Sequence, residues 1–381
     1  MPSAAAAADD DDRCPAPLAA RALALVPVPV PAPVPVPDSH VGAVQVSAAA
    51  RTTDHHPAVT GSPSPIPAQR GDLDCLLPLR HAGVHRVRLR WEALGDAALP
   101  AVVVLGGISA TRHVAASAVD ATPGWWQAQA GAGRPLDPTR HRLIALDWLG
   151  ADGALDVPID TADQADAVAH VLDALGVARL AAFVGASYGA MVGLAFAARH
   201  PGRVAHLVAI SGAHRPHPFA SAWRSLQRKL VALGQAHGAG TQALALARQL
   251  AVLSYRTPAE LGARFDAPVA LVDGRARAAS EPYLEAHGAR YTARWSPTAF
   301  LRLSESIDLH AVDPATITTP ATVVAVTDDA LVPASDLRTL AATLAGPARL
   351  HELPSSYGHD AFLKEEAAIA TILAAAIGGA S

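Results

Sequence analysis

Leu180-Ala181-Ala182-Phe183-Val184 runs without interruption into Gly185-Ala186-Ser187-Tyr188-Gly189, and from there into the apolar stretch Met191 to Arg199. A short continuous apolar run reads as a buried strand and the stretch after it has helical composition, so the pentapeptide between them is a strand-to-helix turn. Glycines on both sides of a serine suit such a turn, because its backbone is strained and packs closely on its neighbours. Ser187 is thereby expected to project above a sheet, where a nucleophile is accessible.

The same kind of run recurs outward from this turn. Val102-Val103-Val104-Leu105, Leu143-Ile144-Ala145-Leu146, Val204 to Ile210 and Ala321 to Val326 are β-rich and separated by helical stretches, which predicts an α/β fold with a mostly parallel sheet flanked by helices. Val87 to Trp91 alternates basic and apolar residues, as a half-buried antiparallel strand does. Between 216 and 300 the strand signal disappears, while Leu226, Leu230, Leu233 and then Leu244, Leu246, Leu250 keep helix-like spacing. This predicts a helical lid inserted between two parts of the core, 71–215 and 301–381. Residues 1–70 are rich in Ala and Pro, with Val and Pro alternating over most of Val26 to Pro37, and are expected to form a disordered, extended tail.

A chain of 381 residues accommodates one main domain. Its formal net charge of -4 gives no basic footprint, so a small-molecule substrate is expected rather than nucleic acid or an anionic membrane. Ala16 to Val36 is apolar but broken repeatedly by Pro, which a spanning helix does not tolerate so often, and the acidic run Asp9 to Asp12 is unlike a secretory signal. With Cys14 and Cys75 as the only cysteines, no disulfide framework is expected, and a reducing cytoplasm fits. No metal site is expected either: His55-His56 are adjacent in the tail, and no H-x-x-x-H with a matching acid lies on a helix.

A serine hydroxyl is a weak nucleophile at neutral pH, so it requires a general base and a third group to orient that base. G-x-S-x-G at a strand-to-helix turn is the nucleophile elbow of the α/β-hydrolase fold, in which the acid and the histidine follow the serine in chain order. The strand Thr322 to Val326 leads into Thr327-Asp328-Asp329-Ala330-Leu331-Val332-Pro333, where either Asp329 or Asp328 can serve as the acid. Of 17 histidines, His359 has the position of the base, in Tyr357-Gly358-His359-Asp360-Ala361-Phe362-Leu363 near the C-terminus. The oxyanion hole is expected from the backbone N–H of Tyr188 and a second N–H in the loop Leu105-Gly106-Gly107-Ile108-Ser109-Ala110, at Ile108.

From Val87 to Ile377 the chain resembles the homoserine O-acyltransferase family. The pieces that carry the resemblance are Gly124-Trp125-Trp126, the elbow, Ser225-Leu226-Gln227-Arg228, Leu253-Ser254-Tyr255-Arg256, Tyr283-Leu284-Glu285, Asp329-Ala330-Leu331-Val332-Pro333 and Gly358-His359-Asp360-Ala361-Phe362-Leu363. The resemblance implies a triad of Ser187, Asp329 and His359, selects Asp329 over Asp328, and implies that Arg228 and Asp360 contact the amino-acid substrate. A zwitterion needs such a pair, a guanidinium for its carboxylate and a carboxylate for its ammonium. Ile108-Ser109-Ala110-Thr111 and Tyr188 depart from the acetyl-transferring pattern. The run from Ile210-Ser211-Gly212 to Arg228 is instead similar to the succinyl-transferring branch. Arg224, one helical turn before Arg228, is expected to pair with the distal carboxylate of a succinyl group. The expected reaction is ping-pong acyl transfer from succinyl-CoA to homoserine by a homodimer joined through the helical insertion, with no bound cofactor. The alternatives are acetyl-CoA as donor, serine as acceptor, or a plain esterase or thioesterase of the same fold.

Overall fold

The computed structural model describes residues 66–378, so the expectations for the polyproline segment, Cys14 and His55-His56 lie outside the described residues. Two long strands come first, β1 (Ala68–Leu79) and β2 (Gly83–Leu94), paired antiparallel from Ala68 opposite Leu94 to Leu79 opposite Gly83. The core continues through β3 (Ala101–Leu105), β4 (Arg142–Leu146), α1 (Thr161–Ala174), β5 (Ala182–Ala186), α2 (Tyr188–Arg199) and β6 (Leu207–Ile210). A helical insertion follows: α3 (Pro218–Ala236), α4 (Gly240–Tyr255), α5 (Pro258–Phe265), the small hairpin β7 (Ala270–Val272) and β8 (Arg275–Arg277), α6 (Glu281–Thr292) and α7 (Pro297–Asp308). The chain then completes the core with β9 (Ala321–Val326), α8 (Ala334–Thr343), β10 (Ala348–Leu353), α9 (Ala361–Lys364) and α10 (Glu366–Gly378).

One sheet of eight strands in the order β1-β2-β4-β3-β5-β6-β9-β10 organises the core; it is parallel from β4 to β10 and antiparallel at β1-β2 and β2-β4. Its central strands are buried along their whole length, and successive residues go to opposite faces. Val103, Leu105 and Phe183 pack with Leu172 of α1 and Val192 and Phe196 of α2, whereas Val102, Val104 and Val184 pack with Trp126 and with Ile369, Leu373 and Ile377 of α10. Both faces being covered explains why these strands read as continuous apolar runs.

Three features differ from the sequence reading. Strand β1 begins at Ala68, before the expected core start at 71, and carries Asp72, Asp74 and Pro78 on a strand whose alternate residues reach solvent. The outermost strand β10 is polar for the same reason, since only one long edge of it is paired. The insertion contains the exposed hairpin β7-β8, too short to register as strand, and α7 carries it past residue 300 to Asp308. Among the described residues, no helix is long and apolar enough to cross a membrane.

Candidate active site

β5 ends at Ala186 and α2 starts at Tyr188, leaving Ser187 as the single residue that turns the chain. Its backbone is at φ 54°, ψ -117°, a conformation that costs a non-glycine residue about 1–3 kcal/mol and survives only where the surroundings hold it. They do so here on both sides. The Ser187 N–H donates to Ile210 O of β6 at 2.7 Å, and the Gly189 N–H donates to Gly106 O at 2.9 Å. A Cβ on Gly185 would collide with the Gly189 backbone, and one on Gly189 with the carbonyls of Leu105 and Gly106, so both glycines are required by close approach.

Ser187 Oγ lies 2.7 Å from His359 Nε2, and His359 Nδ1 lies 2.7 Å from Asp329 Oδ2. A carboxylate only accepts, so Nδ1 carries the proton and Nε2 is left to accept from the Ser187 hydroxyl. The other Asp329 oxygen accepts from the N–H groups of Leu331 and Val332 at 2.8 and 3.0 Å, which fixes the carboxylate in the loop after β9. Asp328 is exposed and, among the described residues, its side chain accepts only from Thr327 Oγ1, so the geometry separates the two neighbouring acids. Gly358, at φ 57°, makes the turn that presents His359. Burial pulls the His359 imidazolium towards deprotonation, but the charge and hydrogen bond of Asp329 outweigh it and raise its pKa above the ordinary histidine value.

The Ile108 and Tyr188 N–H groups donate to no acceptor among the described residues, and both residues line the cavity that holds Ser187. Tyr188 is anchored by its side chain, which sits edge-on against Trp148 at 4.7 Å. Its hydroxyl is 2.6 Å from Ser306 Oγ. Ser306 gives its own proton to Leu303 O, so Tyr188 is the donor in that pair. Trp125 and Trp126 stack at 5.1 Å, and the Trp126 indole donates to Phe362 O at 3.0 Å, tying the Gly124-Trp125-Trp126 segment to the helix that follows His359.

The cavity has a volume of about 560 Å³ and is roofed by the helical insertion, with Trp223, Arg224 and Gln227 of α3 and Arg248 and Tyr255 of α4 in its wall. Asp360 lines it and is bonded to Arg256 at 3.1 Å, and Glu260 holds Arg256 from the other side at 3.0 Å. Burial pushes the Asp360 carboxyl up, against the opposing charges of Arg256, His359 and Arg248. Arg224 also lines the cavity, with its Nη2 2.6 Å from Asp308 Oδ1.

Arg228 departs from expectation. Its Nη1 is bound to Asp308 Oδ2 at 2.6 Å and to Ser304 Oγ at 3.1 Å, and the residue does not line the cavity. The i to i+4 spacing of Arg224 and Arg228 on α3 puts both on one face, but no local pattern reveals that Asp308, at the far end of the insertion, bridges them. Arg248 is a cavity residue that sequence reasoning missed, since an isolated arginine in a helix has no distinguishing pattern. It packs over the rings of Tyr255 and Tyr291 at 5.3 and 4.9 Å, and no carboxylate pairs with it among the described residues. Tyr255 and Arg256 belong to a segment noted in the sequence without a role. Among the described residues, no group of three or more His, Cys, Asp or Glu is placed to hold a metal ion.

The profile of the alpha/beta hydrolase fold matches residues 100–366. A homoserine O-succinyltransferase of Xanthomonas campestris pv. campestris is 56% identical over 89% of this chain and 92% of its own length. A serine O-succinyltransferase of Xanthomonas axonopodis pv. citri is 33% identical, covering 65% of this chain and 68% of its own. Among solved structures, homoserine O-acetyltransferase from Bacillus anthracis superposes with a TM-score of 0.72 at 15% identity, over 81% of this chain and 97% of that one. Esterase E22 reaches the same TM-score of 0.72 at 18% identity, over 81% of this chain and 100% of that one. At these identities, the two structures speak for the fold alone.

Proposed function

This chain belongs to the alpha/beta hydrolase fold family and, within it, to the homoserine O-succinyltransferases, and on that premise we propose that Ser187, His359 and Asp329 transfer the succinyl group of succinyl-CoA to the hydroxyl of L-homoserine. The observation that carries the assignment of residues is the continuous relay of two 2.7 Å contacts from the Asp329 carboxylate through His359 to the Ser187 hydroxyl, at the floor of a roofed cavity.

In the first half-reaction, Ser187 Oγ attacks the thioester carbonyl while His359 Nε2 takes its proton. The oxyanion that forms is met by the N–H groups of Ile108 and Tyr188, each such donor contributing about 3–4 kcal/mol in comparable sites. Collapse breaks the carbon–sulfur bond, the proton passes from His359 to the leaving thiolate, and free CoA departs. In the second half-reaction, the homoserine hydroxyl gives its proton to His359 and attacks the acyl-enzyme. The intermediate expels Ser187 Oγ, which recovers the proton, and O-succinylhomoserine leaves. Asp329 keeps the imidazole in the required tautomer throughout.

Charge balance supports the substrate contacts. Glu260 is shared by Arg256 and Arg264, while Asp360 faces the cavity beside His359 with Arg256 as its partner, and its carboxylate is suited to the ammonium of homoserine. Arg224 and Arg228 share the single carboxylate of Asp308 and leave one positive charge, and Arg248 adds another. The two carboxylates present together in the second half-reaction, one on the succinyl group and one on homoserine, need that many. Arg224, in the cavity wall, takes the succinyl carboxylate, and Arg228 behind it takes the amino-acid carboxylate by exchanging Asp308 for it, with Arg248 compensating the charge that Asp308 cancels.

The insertion, residues 216–308, acts as the lid that keeps water from the acyl-enzyme. Its outer surface exposes Leu226 and Leu233 of α3 at 57% and 60% and Leu246 and Leu253 of α4 at 49% and 37%, each pair seven residues apart on one helix face. That apolar surface supports association with a second copy of the chain. We place the enzyme in the cytoplasm, where acyl-CoA and homoserine meet, as a step of methionine biosynthesis.

Intact-mass measurement after mixing with succinyl-CoA alone tests the covalent step. The expected result is a gain of one succinyl group on the peptide containing Ser187, discharged by homoserine and absent from Ser187→Ala. No adduct in the wild type at any time point, with transfer still proceeding, would rule out the acyl-enzyme.

A further inference from the structure

The cavity wall carries five cationic side chains and two carboxylates, although the whole chain has a net charge of -4. His287 in that wall is pushed down to about 4 by burial and by the charges of Arg290, Arg248, Arg256 and Arg264, which is how a strongly positive region acts on a titratable group. Three of the cations sit around the reacting centre: Arg256 is paired with Asp360 and Glu260, and Arg224 and Arg248 are accounted for by the carboxylates of the acyl group and the acceptor. The other two are not. Arg215, between β6 and α3, and Lys364, the last residue of α9, are exposed, and neither has a carboxylate within ion-pair distance among the described residues. They come from chain segments about 150 positions apart, one on the α3 side of the cavity and one on the His359 side. Beside Arg215, the first two turns of α3 present Phe219, 51% exposed, and Trp223 with ring centroids 6.3 Å apart.

Resting on the transferase reading above, we propose that Arg215 and Lys364 form the docking site for the phosphates of the CoA donor at the outer part of the cavity, with the exposed ring of Phe219, braced edge-to-face by Trp223, offering the face on which its adenine stacks. A guanidinium and an ammonium without ion-pair partners among the described residues suit phosphate oxygens, and an exposed aromatic ring such as that of Phe219 suits a purine. The acyl end then reaches Ser187 through the cavity on the narrow pantetheine arm. The positive potential of the wall draws in a polyanionic thioester, and on a donor that lacks phosphates Arg215 and Lys364 have nothing to hold.

The test compares succinyl-CoA with the succinyl thioester of N-acetylcysteamine, which carries the same reacting carbonyl and no phosphate, in wild type, Arg215→Ala, Lys364→Ala and the double variant. The expected result is that the ratio of kcat/KM for the CoA thioester to that for the small thioester falls about tenfold for each residue, mainly through KM of the CoA donor. Adenosine 3′,5′-bisphosphate is expected to inhibit the wild type competitively against succinyl-CoA, and to do so at least tenfold more weakly in the double variant. An unchanged ratio, whether both rates fall together or neither moves, overturns the proposal. If the wild type transfers from neither thioester, the transferase reading fails instead, and calorimetric binding of adenosine 3′,5′-bisphosphate to wild type and double variant still decides the phosphate site: equal binding, or none to the wild type, overturns it.

Discussion

His359 is buried between a serine and a carboxylate, and its protonation decides when the relay works. Its neutral form is the base, so kcat/KM rises with pH through the imidazole pKa of the free enzyme. Asp329 holds that pKa above the ordinary 6.5, so the acidic limb is expected to bend at a pH higher than 6.5. Asp329→Asn removes the raising charge and leaves burial, the largest lowering cause, unopposed by it. The limb then moves to more acidic pH, while the plateau falls about 10⁴-fold because the tautomer is no longer held. A pH–rate profile of both proteins measures the two effects, and a limb that does not move would show that another group titrates. At this scale, most of the relay was legible. Ser187 and His359 follow from a turn motif and a chain order that encode local geometry, whereas Asp328 and Asp329 were distinguishable only by resemblance, since sequence alone does not show which carboxylate points inward. The pairing of Arg228 with Asp308 was not legible, because Asp308 is brought to it by tertiary packing of α7 on α3.

The elbow depends on three elements meeting within van der Waals contact: β5, α2 and the loop after β3. Gly189→Ala places a methyl group against the carbonyls of Leu105 and Gly106, and neither backbone segment can yield without disturbing the loop that carries Ile108. Thermal unfolding is expected to show a loss of about 2–3 kcal/mol, with transfer activity falling further than stability does. An alanine variant as stable and active as wild type would mean that the turn is looser than its geometry indicates. The insertion makes a second prediction at this level. Leu226→Glu with Leu233→Glu places two charges on the outer face of α3, away from the cavity residues Arg224 and Gln227, and sedimentation is expected to report a dimer for the wild type and a monomer for the variant. Equal sedimentation of the two proteins would remove this face from the assembly. The buried strands and the helical insertion were readable because their residues see one environment along the whole element. β1, β10 and the β7-β8 hairpin were not, since each is part-exposed and its polar residues mask the alternation.

The molecule as a whole combines a rigid parallel sheet, which holds Ser187, Asp329 and His359 at the ends of three separate strand-to-loop transitions, with an insertion that closes over them and supplies the charged wall. The sheet alone fits hydrolysis as well as transfer, as the esterase of the same fold illustrates. In the proposed mechanism, selectivity for an amino-acid acceptor over water comes from the roofed cavity, where Asp360 and the arginines would raise the effective concentration of a bound zwitterion at the acyl-enzyme. The fold was legible from the sequence because it rests on the order and spacing of elements, whereas transfer rather than hydrolysis was legible only through the family resemblance. The charge balance of the wall was not, because it joins Arg224, Arg228, Arg248, Arg256 and Asp308 across several helices. The most direct measurement is the release of free CoA thiol from succinyl-CoA by the purified protein, with homoserine, with serine and with no acceptor, beside Ser187→Ala. The expected result is release that depends on homoserine, yields O-succinylhomoserine and is lost in Ser187→Ala. Release at the same rate with no acceptor present would contradict it and make the protein a thioesterase.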